Sequence, residues 1–288
     1  MEIIKSLDQK NLTGCHLTIG NFDGIHQGHR ALIEGLVTEA QLNNRASVLL
    51  TFNPNPRYFF GETEACTLTD NSLKYDLLEK IGLDCVIEMT FDQQFSKMSA
   101  DQFLLEILLH KINPSAIVVG ENHTFGYKKE GTVLKLKEFC HLNQIEFSQS
   151  NLITINDKIV SSSSIRSAIK QSDFTHTNLF LGRPYGFYIE SIKGNAFQSM
   201  CSQQLLPGSG YYLIEIVKDN LRQPALLKLD KYHQKKIMME LHRITDKLDH
   251  IFDKKIYIQF LHHICDINEI SLDKIKKSCL EEYRSFKR

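Results

Sequence analysis

A chain of 288 residues is long enough for two domains of ordinary size, each with its own core. Its 34 Lys and Arg residues balance its 34 Asp and Glu residues, so no overall basic field attracts nucleic acid or an anionic membrane surface. The seven cysteines form no C-x-x-C pair, and no apolar run reaches the roughly 18 residues of a membrane helix. We therefore expect a cytoplasmic protein with reduced thiols, no nucleic-acid or membrane partner and no disulfide framework or zinc site.

Short β-branched runs alternate with segments of helical period throughout the first half. In chain order these pairs are HLTIG and HRALIEGLVTEAQL, SVLLTF and NSLKYDLLEKI, CVIEMTF and DQFLLEILLHKI, AIVVG and VLKLKEFCHL. Runs such as AIVVG are apolar throughout, as expected of strands that are covered on both faces. The pattern predicts an α/β fold with a doubly wound, Rossmann-like parallel sheet.

The predicted secondary structure changes to mostly strand after Gly182-Arg183-Pro184. Two helical segments, 163–172 and 174–181, precede this point. The remainder contains the strand-like runs YGFYIESI, GYYLIEIV, PALLKL and KKIYIQFL, followed by an amphipathic segment at 271–286. We predict an N-terminal domain over 1–183 and a smaller, β-rich domain over 184–288.

The loop after the first predicted strand reads TIGNFDGIHQGH and carries the chemistry-bearing residues of the first half. Ligands of open parallel sheets bind beyond the carboxyl ends of the strands, where this loop lies. Gly20 and Gly24 let the backbone approach a ligand, and Gly28 keeps the start of the next helix open to a phosphate. His26 and His29, three residues apart, each offer an N–H donor to phosphate oxygens.

The H-x-G-H pattern is the signature of the nucleotidylyltransferase superfamily, and the longer G-x-F-D-G-x-H-x-G-H form resembles the bacterial FAD synthetases. Members of that family are bifunctional riboflavin kinase/FMN adenylyltransferases. Further segments are similar to family motifs in the same order: TFNPNPR, the run from Ser99 to Gly126, VSSSSIR and LFLGRPY. The resemblance covers about residues 15–188. It implies a nucleotidylyltransferase domain followed by a riboflavin-kinase-like β-barrel that ends in a helix.

The resemblance also implies a reaction and the residues that carry it. FMN would attack the α-phosphorus of ATP and pyrophosphate would leave, with Mg²⁺ entering on ATP and no protein ligand assigned to it. The implied catalytic residues are His26, His29 and Arg166. The implied substrate-binding residues are Gly20, Asn21, Phe22, Asp23, Gly24, Gly28, Ser161, Ser162, Ser163, Asn122 and Phe125. In VSSSSIR, serine hydroxyls precede a helix whose N-terminus can hold phosphate, and Arg166 reaches the same anion.

The sequence departs from the family pattern in two places. Asn122 and His123 stand where G-x-D-F-x-F-G has an aspartate and a phenylalanine, so FMN binding is either retuned or unaffected. Glu190–Leu206 reads ESIKGNAFQSMCSQQLL, without the G-F-P-T-A-N segment that holds MgATP in the kinases, although Glu240 and His242 keep an E-x-H motif. We expect the barrel to fold without phosphorylating riboflavin.

Three alternatives remain open at this point. Instead of an FMN adenylyltransferase with an inactive barrel, the chain could be a fully bifunctional enzyme that also makes FMN. It could also be another H-x-G-H nucleotidylyltransferase, or a non-catalytic regulator that binds flavin or nucleotide. The sequence predicts no oligomeric state.

Overall fold

The β-branched runs of the first half form one parallel sheet in the computed structural model, which describes residues 1–7, 12–61, 67–218, 221–230, 238–244, 255–267 and 271–286. The first eight strands are β1 (Glu2–Ile4), β2 (His16–Ile19), β3 (Ser47–Asn53), β4 (Cys85–Thr90), β5 (Ala116–Gly120), β6 (Thr124–Phe125), β7 (Gly131–Thr132) and β8 (Glu146–Ser150). The sheet order is β1-β4-β3-β2-β5-β8, with parallel neighbours throughout. Because the chain winds outwards in opposite directions from β2 and β5, the loops after these two strands flank the switch point, where ligands bind in such sheets.

Helices cover both faces of the sheet. They are α1 (Gln27–Leu42), α2 (Pro56–Phe59), α3 (Asn71–Ile81), α4 (Ala100–Gln102) and α5 (Val133–Leu142). On one face, Leu49 and Val86 share a buried cluster with residues of α1 and α3. On the other, Leu50 and Ile87 share a cluster with residues of α5 and of the helix that continues α4. Alternate residues of each strand thus face opposite layers, which explains the continuous apolar runs.

The helix after α4 is wider than an α-helix. Phe103–Ile112 has the i→i+5 hydrogen bonding of a π-helix, and it ends at Asn113 in the left-handed conformation with φ of 48°. Its buried residues recur at intervals of four and five, which suits this wider winding: Phe103, Leu104, Ile107, Leu108 and Ile112. The helical segment predicted here is therefore present, with a different period.

By its internal contacts the chain divides into two units. The first takes in Met1–Glu64 and Asn71–Val160, and the second takes in Ala65–Asp70 and Ser161–Arg288. The first unit also contains the hairpin of β9 (Thr154–Ile155) and β10 (Lys158–Ile159). The domain boundary predicted at Arg183 immediately precedes the first barrel strand, and the ranges 1–183 and 184–288 stay a prediction.

The second unit is built on a closed antiparallel barrel. Its strands are β11 (Tyr185–Lys193), β12 (Ala196–Ser199), β13 (Gly210–Lys218), β14 (Leu221–Asp230), β15 (Met238–Arg243) and β16 (Lys255–Cys265), in the order β11-β12-β15-β14-β13-β16. Helices α6 (Ser162–Lys170), α7 (Phe174–Leu181) and α8 (Leu272–Phe286) accompany it. The predicted fold class, a Rossmann-like domain followed by a barrel with a C-terminal helix, is confirmed.

Aromatic side chains fill the barrel interior. Phe174 stacks on Phe260 with ring centroids 4.9 Å apart, and Tyr185, Phe187 and Tyr212 pack around Phe260 at 5.5–5.9 Å. All five of these rings are less than 2 % exposed. Large rigid rings of this kind supply much of the apolar burial that a small barrel needs.

Candidate functional site

The loop between β2 and α1 is a strained turn that ends in a helix cap. Phe22 and Ile25 have positive φ angles of 47° and 38°, and Gly24 has 91°. Positive φ costs non-glycine residues free energy and concentrates at functional sites. Gly20 leaves room for the Phe22 ring, since a Cβ at Gly20 would lie 3.1 Å from it.

His26 is the N-cap of α1. Its Nδ1 atom accepts the backbone N–H of His29 at 3.2 Å, so the neutral ring carries its proton on Nε2. The ring of His29 stacks on that of His26, with centroids 3.6 Å apart and an angle of 19° between the planes. Gly28 makes this arrangement possible, because a Cβ there would lie 3.2 Å from Cε1 of His26. One loop therefore presents two imidazoles beside the start of a helix.

Contacts within the loop and with β3 fix the rest of the loop. Phe22 meets the His29 ring edge to face at 5.1 Å, and Asp23 is only 6 % exposed. The hydroxyl of Thr51, at the end of β3, donates to the carbonyl oxygen of Asn21 at 3.4 Å. The residues predicted between Gly20 and His29 are thus brought together in one turn.

A buried lysine that the sequence analysis did not single out lies close to this loop. Lys74, in the first turn of α3, is 5 % exposed, and its Nζ donates to Oγ1 of Thr51 at 3.5 Å. Burial lowers the pKa of Lys74 below its usual value, and the charges of Asp23 and Glu88 offset this only in part. Lys74 and Leu78, four residues apart, share the buried face of α3, but a lysine in a charged amphipathic helix carries no sequence signal of burial.

An aromatic cavity of about 220 Å³ lies among the loops that follow β3, β4 and β5. Its lining residues are Phe60, Phe91, Phe95, Ser96, Met98, Phe103, Gly126, Tyr127, Lys128 and Lys129. Lys128 and Lys129 both have positive φ, 53° and 60°. The cavity thus combines a largely apolar wall with two cations in a strained turn.

The two flavin contacts predicted after β5 do not belong to the cavity wall. Asn122 is exposed in the turn after β5, and Phe125 is buried in the core against Phe103. His123 stacks on Phe125 at 5.8 Å, and burial lowers the pKa of His123 to about 4. The aromatic residues of the wall were missed because isolated phenylalanines in loops carry no pattern.

The serine run and Arg166 belong to the second unit. Ser161 caps α6 and forms a capping box with Ser164, each side chain bonding the backbone of the other. Ser162 begins the helix, Ser163 is exposed, and Arg166 is 9 % exposed in the next turn. Capping accounts for the first and last serines of the run, and the roles predicted for Ser161, Ser162, Ser163 and Arg166 stay predictions.

Across the described ranges, no group of three or more His, Cys, Asp or Glu side chains could hold a metal ion. No helix in the described part of the chain is long and apolar enough to cross a membrane.

Comparison with known proteins gives a consistent result. A sequence model of the FAD synthetase family matches residues 8–164, more than half of the chain. The bifunctional riboflavin kinase/FMN adenylyltransferase of Haemophilus influenzae is 28 % identical, over 96 % of this chain and 95 % of its own length. The FAD synthetase of Listeria monocytogenes is 28 % identical, over 68 % of this chain and 79 % of its own length.

One solved structure shares the fold over nearly its whole length. A Streptococcus pneumoniae protein described as a macrolide-efflux protein has a TM-score of 0.83 at 20 % identity, covering 98 % of this chain and 96 % of its own. At that identity the likeness concerns the fold alone.

Proposed function

The chain belongs to the FAD synthetase family, and on that premise we propose that it transfers the adenylyl group of ATP to FMN, giving FAD and pyrophosphate. The observation that carries the proposal is the stacked pair His26 and His29 at the start of α1, inside the range that the family model matches. A regulator that only bound nucleotide would not need two imidazoles held in this way.

The reaction needs alignment and charge stabilisation rather than an enzyme nucleophile. A phosphate oxygen of FMN attacks the α-phosphorus of ATP, and the α–β bridging bond breaks, its electron pair leaving with pyrophosphate. His26, with its proton on Nε2, and His29 donate to the charge that grows on the phosphates, and the N–H groups at the start of α1 add to it. Ser161, Ser162, Ser163 and Arg166 contact ATP in this proposal.

Magnesium fits this scheme as part of the substrate. Mg²⁺ binds the phosphates of ATP and keeps several waters, so it needs few protein ligands. No protein ligand is assigned to it.

The flavin is proposed to bind in the aromatic cavity. Its phenylalanine and tyrosine wall suits the planar isoalloxazine ring, and Lys128 and Lys129 add positive charge for an anionic ligand. Asn122 and Phe125 remain proposed flavin-side residues, with Phe125 acting through Phe103. The proposed location is the cytoplasm, where the six described thiols stay reduced.

The barrel is proposed to lack riboflavin kinase activity. The stretch Glu190–Leu206 contains no G-F-P-T-A-N segment, and within it only Gly194 and Asn195 join β11 to β12, where Lys193 pairs with Ala196. Glu240 is the general base implied by the E-x-H motif. Its Oε1 lies 3.7 Å from Nζ of Lys228, and its Oε2 lies 3.6 Å from Nε2 of His242. The segment that follows the motif, 245–254, lies outside the described residues.

Two incubations of the purified protein test the proposals. With MgATP and FMN, flavin fluorescence should fall as FAD forms, and His29→Ala should abolish most of the fall. With MgATP and riboflavin, chromatography should show neither FMN nor FAD. No FAD from FMN would contradict the adenylyltransferase proposal, and FMN formed from riboflavin would establish the bifunctional alternative.

A further inference from the structure

The histidine loop is supported by a buried cation that the reaction itself does not use. Lys74 is 5 % exposed, although a lysine side chain is almost always exposed unless it is paired. An ammonium group in the interior is retained only where hydrogen bonds and opposite charges offset its desolvation. The surroundings of Lys74 therefore indicate what it does.

Lys74 connects α3 to the histidine loop through one hydroxyl group. Its Nζ donates to Oγ1 of Thr51 at 3.5 Å, and the same hydroxyl donates to the carbonyl oxygen of Asn21 at 3.4 Å. Asn21 is the second residue of the loop, five positions before the cap His26. A displacement of Lys74 would thus be transmitted to the backbone from which the loop departs.

Two buried carboxylates act on the same ammonium group. Asp23 and Glu88 are each 6 % exposed, and both favour the charged form of Lys74. Glu88 has other partners as well: the hydroxyl of Tyr75, Nδ2 of Asn71 at 3.3 Å and Nζ of Lys5 at 3.5 Å. Asp23, which belongs to the loop, is thus one of the two charges that favour the ammonium form of Lys74.

We propose that Lys74 is a positioning residue for adenylyl transfer: through Thr51 and the charge of Asp23, it fixes the loop conformation in which His26 and His29 stack. The inference rests on the proposed function and extends it to a residue outside the motifs named above. Lys74 touches neither substrate in this proposal and acts only through the loop.

The test compares Lys74→Met with Lys80→Met, which removes an exposed lysine from the same helix. Lys74→Met should lower kcat at least 30-fold, with KM for ATP and FMN changed less than threefold, and should shift the imidazole NMR signals of His26 and His29. Lys80→Met should leave all of these at their wild-type values. Lys74→Arg, which restores the charge, should recover part of the lost kcat.

Asp23→Asn tests the route. The double variant Lys74→Met/Asp23→Asn is compared with the two single variants. If Lys74 acts through Asp23, kcat of the double variant should be no lower than the lower of the two single-variant kcat values. A loss of kcat in the double variant equal to the product of the two single losses would overturn the proposal. Wild-type imidazole signals in Lys74→Met would also overturn it. If Lys74→Met alone does not fold, Thr51→Val, which removes the hydroxyl that links Lys74 to the loop, is measured instead. Wild-type imidazole signals in Thr51→Val would overturn the proposal. A wild-type protein that forms no FAD would refute the proposed function, while the imidazole signals would still decide the role of Lys74.

Discussion

His26 and His29 are joined twice: the backbone N–H of His29 donates to Nδ1 of His26 at 3.2 Å, and their rings stack at 3.6 Å. The imidazole of His26 therefore caps α1 and is also a proposed donor to the phosphates. The two histidines consequently differ in what they contribute to stability, although both are proposed to act on the phosphates.

Replacing the two histidines separately should reveal that difference. His29→Ala removes one proposed donor to a developing anion, which typically costs about 2.7–4 kcal/mol, or 10²–10³-fold in kcat. His26→Ala should lose similar activity and, because the cap is lost, about 1 kcal/mol of stability as well. FAD formation and thermal unfolding measure the two effects, with the exposed His110→Ala as control. Turnover near the wild-type value in His29→Ala would remove His29 from the mechanism.

Gly28→Ala should reduce turnover without destabilising the protein. The added Cβ would lie 3.2 Å from Cε1 of His26, so the ring must move by a few tenths of an ångström. Gly35→Ala is the matched control in the same helix, because its Cβ would meet no atom within 4 Å. We expect Gly35→Ala to gain up to about 1 kcal/mol of stability at unchanged kcat. Equal kcat in both variants would contradict the close fit at Gly28.

Phe60→Ala should weaken flavin binding selectively. Phe60 lines the aromatic cavity yet is 67 % exposed, so its removal should cost little stability. Loss of one aromatic contact is worth roughly 0.5–1.5 kcal/mol, which predicts a two- to tenfold rise in the Kd for FMN. Fluorescence titration with FMN measures it, with KM for ATP as an internal reference. Leu142→Ala, at 81 % exposed in the wild type, controls for the loss of an exposed apolar side chain.

His123 should make stability depend on pH. Burial lowers the pKa of His123 from 6.5 to about 4, so the unfolded chain takes up the proton first as the pH falls. The contribution to stability is fully present above pH 6.5 and is lost between 6.5 and 4, an effect of about 3 kcal/mol.

Urea unfolding at several pH values measures this dependence. His123→Phe, which places the residue of the family pattern at this position, should flatten the curve between pH 6.5 and 4. The exposed His141→Gln should keep the wild-type slope. An unchanged slope in His123→Phe would assign the pH dependence to other groups.

Much of the fold follows from apolar pattern. The run AIVVG corresponds to β5, and the helix predicted at 174–181 is α7 with the same bounds. Strand β8 was missed because its sequence EFSQS is polar, as an edge strand with only one paired neighbour permits. Strand β12 was missed because the four residues AFQS are too short to establish a period.

The site was predictable where several special residues share one turn and not where ordinary residues meet in space. Gly20, Gly24, His26, Gly28 and His29 identify the loop from the sequence alone. Lys74 lies in a charged amphipathic helix, where a lysine is typical of the solvent face, and its burial depends on Asp23 and Thr51 in other segments. The cavity wall likewise joins loops after three different strands, which no local pattern relates.

The two-residue turn at Gly194 and Asn195 makes the barrel a scaffold for protein engineering. Both residues are exposed, and Gly194 has a positive φ of 57°, as tight hairpin turns require. Because loop closure costs only about 0.6 kcal/mol for each doubling of length, a segment of about sixteen residues inserted here would cost about 2 kcal/mol. The paired strands on either side would keep their hydrogen bonds. A designed nucleotide-binding loop can therefore be introduced at this turn without rebuilding the aromatic interior.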